Sequence, residues 1–455
     1  MYPEMIAQGG SEPGVFYRCP GLRPLAEVGT GPIRQVFNYA SGKLLVVSGN
    51  ELYKLSNAYS ETLLGTLDTA TGYVCVSRNN TQAMLTDGVS GYIYTAATDA
   101  FAKITDADFT GVDSNTYIAS RFLGQRSGDQ FQQSALDDGT DWDGLEFATA
   151  EYSPDNLVRI IESNKEAWLL GATTIEVWAP SSNADFAFEP IQGATISHGC
   201  MAMASVVQMD NTVIWLGRDQ NGINIVYRAN GYTPVRISTH ALEDAFAGYE
   251  ETSDAVAFAY QQRGHLFYFL TFPTGNATWV YDVATGLWHE RAYLNPASGL
   301  LERHLASCGC KFNGEIVVGS RLDGNIYAFD LEVYDDDGDA QKWLRAWRAL
   351  PTGQNNYKRT VQHSLQIIGQ TGTGLISGQG SDPQVMMRFS DDGGQTWGNE
   401  HWTTQGAIGA TGTRVFFRRL GSTEKLRDRV YEVSGTDPVK LAWTGAELHL
   451  SGAMS

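Results

Sequence analysis

The sequence predicts an all-β fold, a β-propeller of six or seven blades followed by a C-terminal β-sandwich-like domain. Glycine accounts for 49 of the 455 residues, and tyrosine, phenylalanine and tryptophan add 21, 19 and 11. Short aromatic or β-branched runs alternate with Gly, Asn and Asp, which is typical of short strands joined by tight turns. Helical patterns are few, and the best one, residues 239–249, has Thr239 as its candidate N-cap.

A repeated unit supports the propeller. In each copy an apolar strand, often ending in Gly, is followed by a short turn and a second strand with Tyr or Trp near its end. The period of about 40 to 50 residues is that of a four-stranded propeller blade, and a degenerate unit from Tyr117 to Phe147 fills the one wide gap. A large β-sandwich or a β-helix is the alternative. The aromatic residues that mark the clear copies are Tyr53, Tyr94, Trp178, Tyr227, Tyr281 and Tyr327.

The pattern changes after residue 335, where longer strands mix apolar and charged positions, as in residues 414–418 and 429–433. Such alternation is typical of sheets with one solvated face. We therefore predict an extended N-terminal arm at residues 1–30, the propeller at residues 31–335 and the sandwich-like domain at residues 336–455.

The charge balance excludes one class of function. Lys and Arg number 32 against 51 Asp and Glu, a net charge of −19. A nonspecific nucleic-acid-binding protein needs an excess of basic residues, but a channel through which DNA slides does not. The five cysteines form no evident disulfide framework, and no apolar run approaches the roughly 20 residues of a membrane span. We expect synthesis in a reducing cytoplasm and no membrane span.

One short motif has a structural explanation. Residues 390–397 resemble the Asp-box turn, S-x-D-x-G-x-T-W. In this turn the Ser and Asp side chains satisfy backbone groups and the Trp packs below, so no ligand is needed. The predicted structural residues are Ser390, Asp392, Gly394, Thr396 and Trp397.

Other candidate sites fail on spacing. An EF-hand register over residues 333–344 would place Val333 and Leu344 at ligand positions. That stretch is instead predicted as a solvated turn, with weak cation binding or an acidic contact surface as the alternatives. Cys308 and Cys310 lack the second pair of a zinc site. We expect no catalytic residue, cofactor or metal. The residues of the acidic surface are Asp335, Asp336, Asp337 and Asp339.

A carboxylate cluster remains as a weaker alternative. Asp141, Asp143 and Glu146 could serve a glycosidase, which uses paired carboxylates. A polar loop of a blade explains the same residues. If the cluster had this role, the chain would be a β-propeller carbohydrate-binding or glycoside-cleaving protein.

Several stretches, in the same order along the chain, resemble the packaged-DNA stabilisation proteins, also called tail hub or nozzle proteins, of short-tailed bacteriophages (podoviruses). They contain the sequences DWDGLEFATAE, WLLG with IEVW, WLG with VYRANGY, and RVYEVS. Shorter matches occur near the N-terminus. These stretches are residues 2–4, 18–22, 141–151, 168–178, 215–241 and 429–439.

The resemblance implies a structural virion protein of the short tail tube and not an enzyme. Members of this family assemble as homohexameric rings below the portal and adaptor, extend the DNA channel, retain the packaged genome and conduct it at ejection. They also carry tail fibres or spikes and a plug or needle. The implied partners are further copies of the chain, those tail proteins, and genomic duplex DNA that passes without tight binding. The implied location is the virion tail, after synthesis in the host cytoplasm.

Overall fold

The computed structural model describes residues 2–5, 14–153, 155–183, 186–219, 222–350, 358–424 and 426–453. The chain divides into two compact units. The propeller unit comprises Pro24–Ala292 and Arg303–Ala328, and the sandwich unit comprises Met1–Arg23, Tyr293–Glu302 and Phe329–Ser455. Nearly all regular structure in the described residues is β-strand, which confirms the predicted fold class.

The propeller has seven blades within the described part of the chain; six are separate four-stranded sheets, and the seventh consists of the first four strands of a six-stranded sheet. Blades 1 to 3 consist of Ile33–Ala40, Lys43–Ser48, Glu51–Leu55 and Glu61–Thr66; Cys75–Arg78, Gln82–Thr86, Gly91–Thr95 and Ala100–Lys103; and Asn115–Ile118, Arg121–Gln125, Gln130–Ala135 and Asp138–Thr149. Blades 4 to 6 consist of Leu157–Ser163, Glu166–Gly171, Ile175–Pro180 and Phe188–Pro190; Val207–Met209, Thr212–Arg218, Asn224–Asn230 and Thr233–Arg236; and Val256–Gln262, His265–Phe272, Ala277–Asp282 and Leu287–Glu290. Blade 7 consists of Ala306–Phe312, Glu315–Ser320, Asn325–Asp330 and Gly21–Glu27.

The two strands of the repeated sequence unit are the second and third strands of each blade. In blade 1 the second strand is buried from Leu44 to Ser48. Its residues pack in a cluster that also contains Leu85 and Tyr92 of blade 2. Because neighbouring blades cover both faces of these central strands, their sequences are continuously apolar.

Blade 3 is the degenerate copy, and its central strands show why. Several of their buried positions are glutamines instead of apolar residues, including Gln125 and Gln132. Gln125 accepts a hydrogen bond from Ser114 Oγ at 2.7 Å and donates one to the Leu157 carbonyl at 2.8 Å. Buried polar side chains therefore replace part of the apolar pattern on which the repeat was recognised; Gln125 is hydrogen-bonded through both ends of its amide, whereas Gln132 Nε2 has no hydrogen-bond partner among the described residues.

The N-terminal residues complete blade 7. Gly21–Glu27 lies next to Asn325–Asp330 as the fourth strand, and Gly14–Tyr17 belongs to a sheet of the sandwich unit. Residues 1–30 were predicted as an extended arm, but three stretches of the described part, Tyr2–Met5, Gly14–Tyr17 and Gly21–Glu27, are strands hydrogen-bonded into sheets. A closing strand taken from the other end of the chain covers an edge that would otherwise be exposed. Ile33 of blade 1 and Cys308 of blade 7 share a buried cluster, so the ring of blades is closed.

The sandwich unit contains two sheets around one core, as predicted. The core includes Trp343, Leu365, Phe417 and Trp443. The sequence did not indicate the strands Trp343–Arg348 and His401–Thr404. One sheet consists of Tyr2–Met5, Gly14–Tyr17, Ala442–Gly452, Thr360–Gly369 and Val415–Arg418, and the other of Trp343–Arg348, Val430–Gly435, Gln384–Ser390 and His401–Thr404.

The remaining elements are short. The α-helix spans His240–Ala247, with Thr239 at the N-cap position but without a side-chain capping hydrogen bond. The 3₁₀ helix spans Met203–Ser205. The remaining strands are Ala292–Leu294, Leu301–Arg303, Asp335–Asp336 and Asp339–Ala340.

Blade packing leaves no space for a side chain at Gly199. A Cβ atom there would lie 2.3 Å from the backbone of Ala172 and Thr173. We expect Gly199→Ala to lower the free energy of unfolding by about 1–3 kcal/mol, because backbone must move to admit the methyl group. Gly412→Ala is the control, since its Cβ meets nothing within 4 Å. Urea unfolding of both variants measures the effect, and equal stability of the two would contradict the tight packing.

Candidate functional site

The outer edge of blade 3 is acidic and carries exposed apolar side chains. Residues 127–158 contain eight Asp and Glu and no Lys or Arg. The strand Asp138–Thr149 lies at the end of its sheet, and its register with the neighbouring strand is irregular. Leu145 on this strand is 85% exposed, and Leu136 in the preceding turn is 65% exposed. We call residues 136–151 the acidic edge.

The carboxylates of the glycosidase alternative lie on this edge. Asp143 accepts a hydrogen bond from the backbone N–H of Leu145 at 2.9 Å. Glu146 accepts one from Gln133 Nε2 at 2.8 Å and pairs with Arg121 at 3.3 Å. These contacts hold the irregular part of the edge strand that carries Leu145, so the three carboxylates lie on a strand and not in the polar blade loop that the sequence suggested.

A cleft of about 850 Å³ adjoins the acidic edge, between blades 3 and 4. Its lining includes Phe147, Tyr152, Glu176 and Trp178. Glu176 is buried, and its two oxygens accept hydrogen bonds from the Tyr152 backbone N–H and from Trp178 Nε1. This carboxylate therefore holds the two chain segments together.

The Asp-box residues form a hydrogen-bonded turn. Asp392 accepts hydrogen bonds from the Thr396 backbone N–H at 2.9 Å and from Thr396 Oγ1 at 2.7 Å. Ser390 Oγ accepts one from the Gly394 N–H at 2.9 Å, and Trp397 is half-buried. The hydrogen bonds from Ser390 and Thr396 hold the pKa of Asp392 below its usual range. These motif residues thus supply contacts within the turn.

The acidic turn is not a uniform surface, and the prediction is wrong for Asp336. This residue is 1% exposed, because its backbone pairs with Leu22 and places the side chain inside the unit. Asp337 is exposed and Asp335 is half-buried. Asp339, also half-buried, accepts a hydrogen bond from a tyrosine hydroxyl at 2.6 Å. Three of the four predicted residues therefore reach solvent.

Arg18 is the centre of a buried polar cluster in the sandwich unit. It is 3% exposed, and it donates hydrogen bonds to Gln341 Oε1 at 2.9 Å and to the Gln341 carbonyl at 2.6 Å. It also donates to the carbonyls of Asp437 and Val439. One guanidinium therefore joins three segments of the chain that are remote in sequence.

Asp336 also belongs to this cluster, but only one of its two carboxylate oxygens is hydrogen-bonded. Gln341 Nε2 donates to its Oδ1 at 3.3 Å, while its Oδ2 has no hydrogen-bond partner among the described residues. Burial raises the pKa of Asp336 to about 7 and lowers the pKa of Arg18 to about 10.

The sandwich unit has an aromatic pocket of about 310 Å³ with mainly apolar walls. The Arg345 guanidinium lies at the pocket, 4.5 Å from the centroid of the Phe16 ring. No carboxylate pairs with Arg345 among the described residues, and burial lowers its pKa. The pocket therefore combines aromatic surface with an unneutralised cation. Its lining residues are Phe16, Arg345, Trp347, Ile367, Val433, Trp443, Gly445 and Ala446.

This pocket was not predicted from the sequence, although the distribution of charge along the chain gives one indication of it. Residues 340–381 contain five Lys and Arg and no Asp or Glu, in a chain of net charge −19. This charge asymmetry marks the strand Trp343–Arg348 as unusual. The pocket itself needs Phe16 and Trp443, which only the folded sheet brings together.

Other kinds of site are not evident in the described residues. They contain no group of three or more His, Cys, Asp or Glu that could hold a metal ion. All five cysteines are free thiols. Among the described helices, none is long and apolar enough to cross a membrane.

Three solved structures show low similarity to this chain. The extracellular domain of the putative one-component system BT4673 from B. thetaiotaomicron is 11% identical, with a TM-score of 0.46; the match covers 84% of this chain and 48%, about half, of that chain. The WD40 repeats of RRP9 are 10% identical, with a TM-score of 0.42 and coverages of 69% and 99%. The designed protein Ika8 is 10% identical, with a TM-score of 0.39 and coverages of 68% and 99%. No curated protein matches the sequence.

Two family models match the chain, and both describe domains of the same phage protein. Residues 1–334 match the β-propeller of bacteriophage P22 Gp10, and residues 342–451 match the β-sandwich of the same protein. The two matches occur in the order that the structure shows, and together they cover most of the chain. This confirms the resemblance to the DNA-stabilisation proteins of short-tailed phages. The chain therefore belongs to the P22 Gp10 family of phage structural proteins, with a propeller followed by a sandwich.

Proposed function

We propose that the chain is a hub, or nozzle, protein of the short tail tube in a podovirus virion. Six copies form a ring below the portal and adaptor, extend the DNA channel, retain the packaged genome and conduct it at ejection. The ring also carries tail fibres or spikes and a plug or needle. The observation that carries this proposal is the match of both units, in order, to one phage structural protein.

The charge of the chain supports a channel that does not bind DNA tightly. Each copy has a net charge of −19, so a ring presents a strongly acidic assembly. Like charge keeps phosphate from adhering to a wall that it must slide past. Retention of the genome then comes from closure of the channel below the DNA.

Electron microscopy of the purified chain mixed with the phage's portal–adaptor complex tests the proposal. We expect sixfold density below the adaptor, with a central opening wide enough to admit duplex DNA. A chain that remains monomeric and leaves the complex unchanged would rule the role out. The complex without the chain is the control.

Duplex DNA is expected to bind the chain only weakly. The measurement is a fluorescence anisotropy titration at low and moderate salt. We expect little binding and a shallow dependence of affinity on salt, because few phosphates are neutralised. Tight binding that falls steeply with salt would contradict the proposed sliding channel. A duplex of unrelated sequence serves as the control for specificity.

A further inference from the structure

The aromatic pocket has the chemistry to bind an apolar side chain that lies beside a carboxylate. Its walls supply aromatic rings, and Arg345 supplies a cation without a carboxylate partner in the described residues. Burying an apolar group there removes water from both surfaces. A carboxylate at the rim would neutralise the guanidinium with charge-assisted hydrogen bonds. The occupant must therefore present both groups together.

The acidic edge of blade 3 presents this combination. Leu145 is 85% exposed, and Asp143 and Glu146 flank it. Two other exposed residues fit less well. Ile376, which is 88% exposed, lies in a stretch without charged residues, and Leu426, which is 64% exposed, is followed by Arg427.

The two surfaces also match over a larger area. The acidic edge lies in a segment with eight carboxylates and no basic residue, whereas the pocket lies beside a segment with five basic residues and no carboxylate. Opposite potentials on two patches steer association and fix the register of an interface. Different patches that meet in successive copies form a heterologous contact, which closes into a ring when the rotation permits.

We propose that in the tail ring the acidic edge of one copy docks on the aromatic pocket of the next, with Leu145 in the pocket and Asp143 facing Arg345. This inference rests on the proposed ring and names the contact that builds it. The partner is a second copy of the chain. Duplex DNA on the strand Trp343–Arg348, which we call the basic strand because it carries Arg345 and Arg348, is the competing occupant that the experiment must exclude.

Cysteine cross-linking in the assembled ring tests the geometry. Leu145 and Ala446 are both exposed, and Ala446 lines the pocket. The double variant Leu145→Cys/Ala446→Cys, assembled on the portal–adaptor complex and oxidised, is expected to give a ladder of disulfide-linked oligomers. Each single variant controls for the native thiols and should give none. Absence of the ladder from rings that do assemble would overturn the inference.

A charge-reversal cycle tests the energetics. Arg345→Asp and Asp143→Arg are each expected to weaken ring assembly about ten-fold, and the combined variant should return to within about three-fold of the original chain. Melting temperatures of the free chains show that the variants fold. Additive losses in the combined variant would overturn the pairing.

The outcomes separate this inference from the proposed function. If the unaltered chain assembles but neither cross-links nor shows charge coupling, the docking fails and the tail role stands. If the unaltered chain does not assemble, both fail. If Arg345→Asp instead abolishes measurable duplex binding and leaves assembly intact, the basic strand contacts DNA and the docking is wrong.

Discussion

Replacing Arg18 with alanine is expected to lower the free energy of unfolding of the sandwich unit by about 3–5 kcal/mol. The guanidinium is 3% exposed and donates to Gln341 and to two backbone carbonyls. Truncation would leave these acceptors buried without a donor, and each such group costs about 1–3 kcal/mol. Chemical denaturation followed by tryptophan fluorescence measures the loss.

Two variants give this prediction its controls. Arg348 is 58% exposed and pairs with Asp428 at 3.1 Å, so Arg348→Ala should cost at most about 1 kcal/mol. Arg18→Lys keeps the charge but lacks the planar fork that reaches several acceptors, and it should recover only part of the stability. An Arg18→Ala chain as stable as Arg348→Ala would show that the cluster contributes little.

The architecture was predictable because propeller blades repeat one burial pattern. In the second strand of blade 1, the buried residues Leu44 to Val47 are all apolar and only the last buried residue, Ser48, is polar. The second strands of other blades repeat this pattern along the chain. Blade 3 was harder, since buried glutamines such as Gln132 replace apolar residues there. The fourth strand of blade 7, Gly21–Glu27, was missed because its partner lies about three hundred residues further on, at Asn325–Asp330.

The candidate sites also differ in how far the sequence could predict them, because some depend on local contacts and others on strands that are remote in sequence. The Asp-box could be recognised in the sequence because its hydrogen bonds are local: Gly394 N–H donates to Ser390 Oγ, and Thr396 N–H donates to Asp392. The aromatic pocket was not, because its walls come from strands that only the folded sheets bring together. The prediction for Asp336 was wrong for a related reason. A run of aspartates predicts solvent-exposed side chains, and only the backbone pairing of Asp336 with Leu22 shows that this one is buried.

Asp336 gives the second large effect, a loss of stability as the pH rises. Burial raises its pKa in the folded chain from 3.8 to about 7, so the folded state binds a proton that the unfolded state has already lost. Stability therefore falls between about pH 4 and about pH 7, by on the order of 4 kcal/mol, and is level above that range. Asp336→Asn carries no titrating group and is expected to remove this fall, so the variant should be the more stable one at neutral pH.

The pH window makes the prediction specific. Carboxylates whose folded pKa is lowered, such as Asp99 and Asp392, lose their contribution as the pH falls below about 4, outside the range in which Asp336 acts. The difference in unfolding free energy between Asp336→Asn and the unaltered chain, measured at intervals from pH 4 to pH 8, isolates the buried group. Asp337→Asn at the exposed neighbouring position should leave the difference near zero. A constant difference across the range would mean that Arg18 keeps Asp336 ionised throughout, and the cluster would then be a buried ion pair.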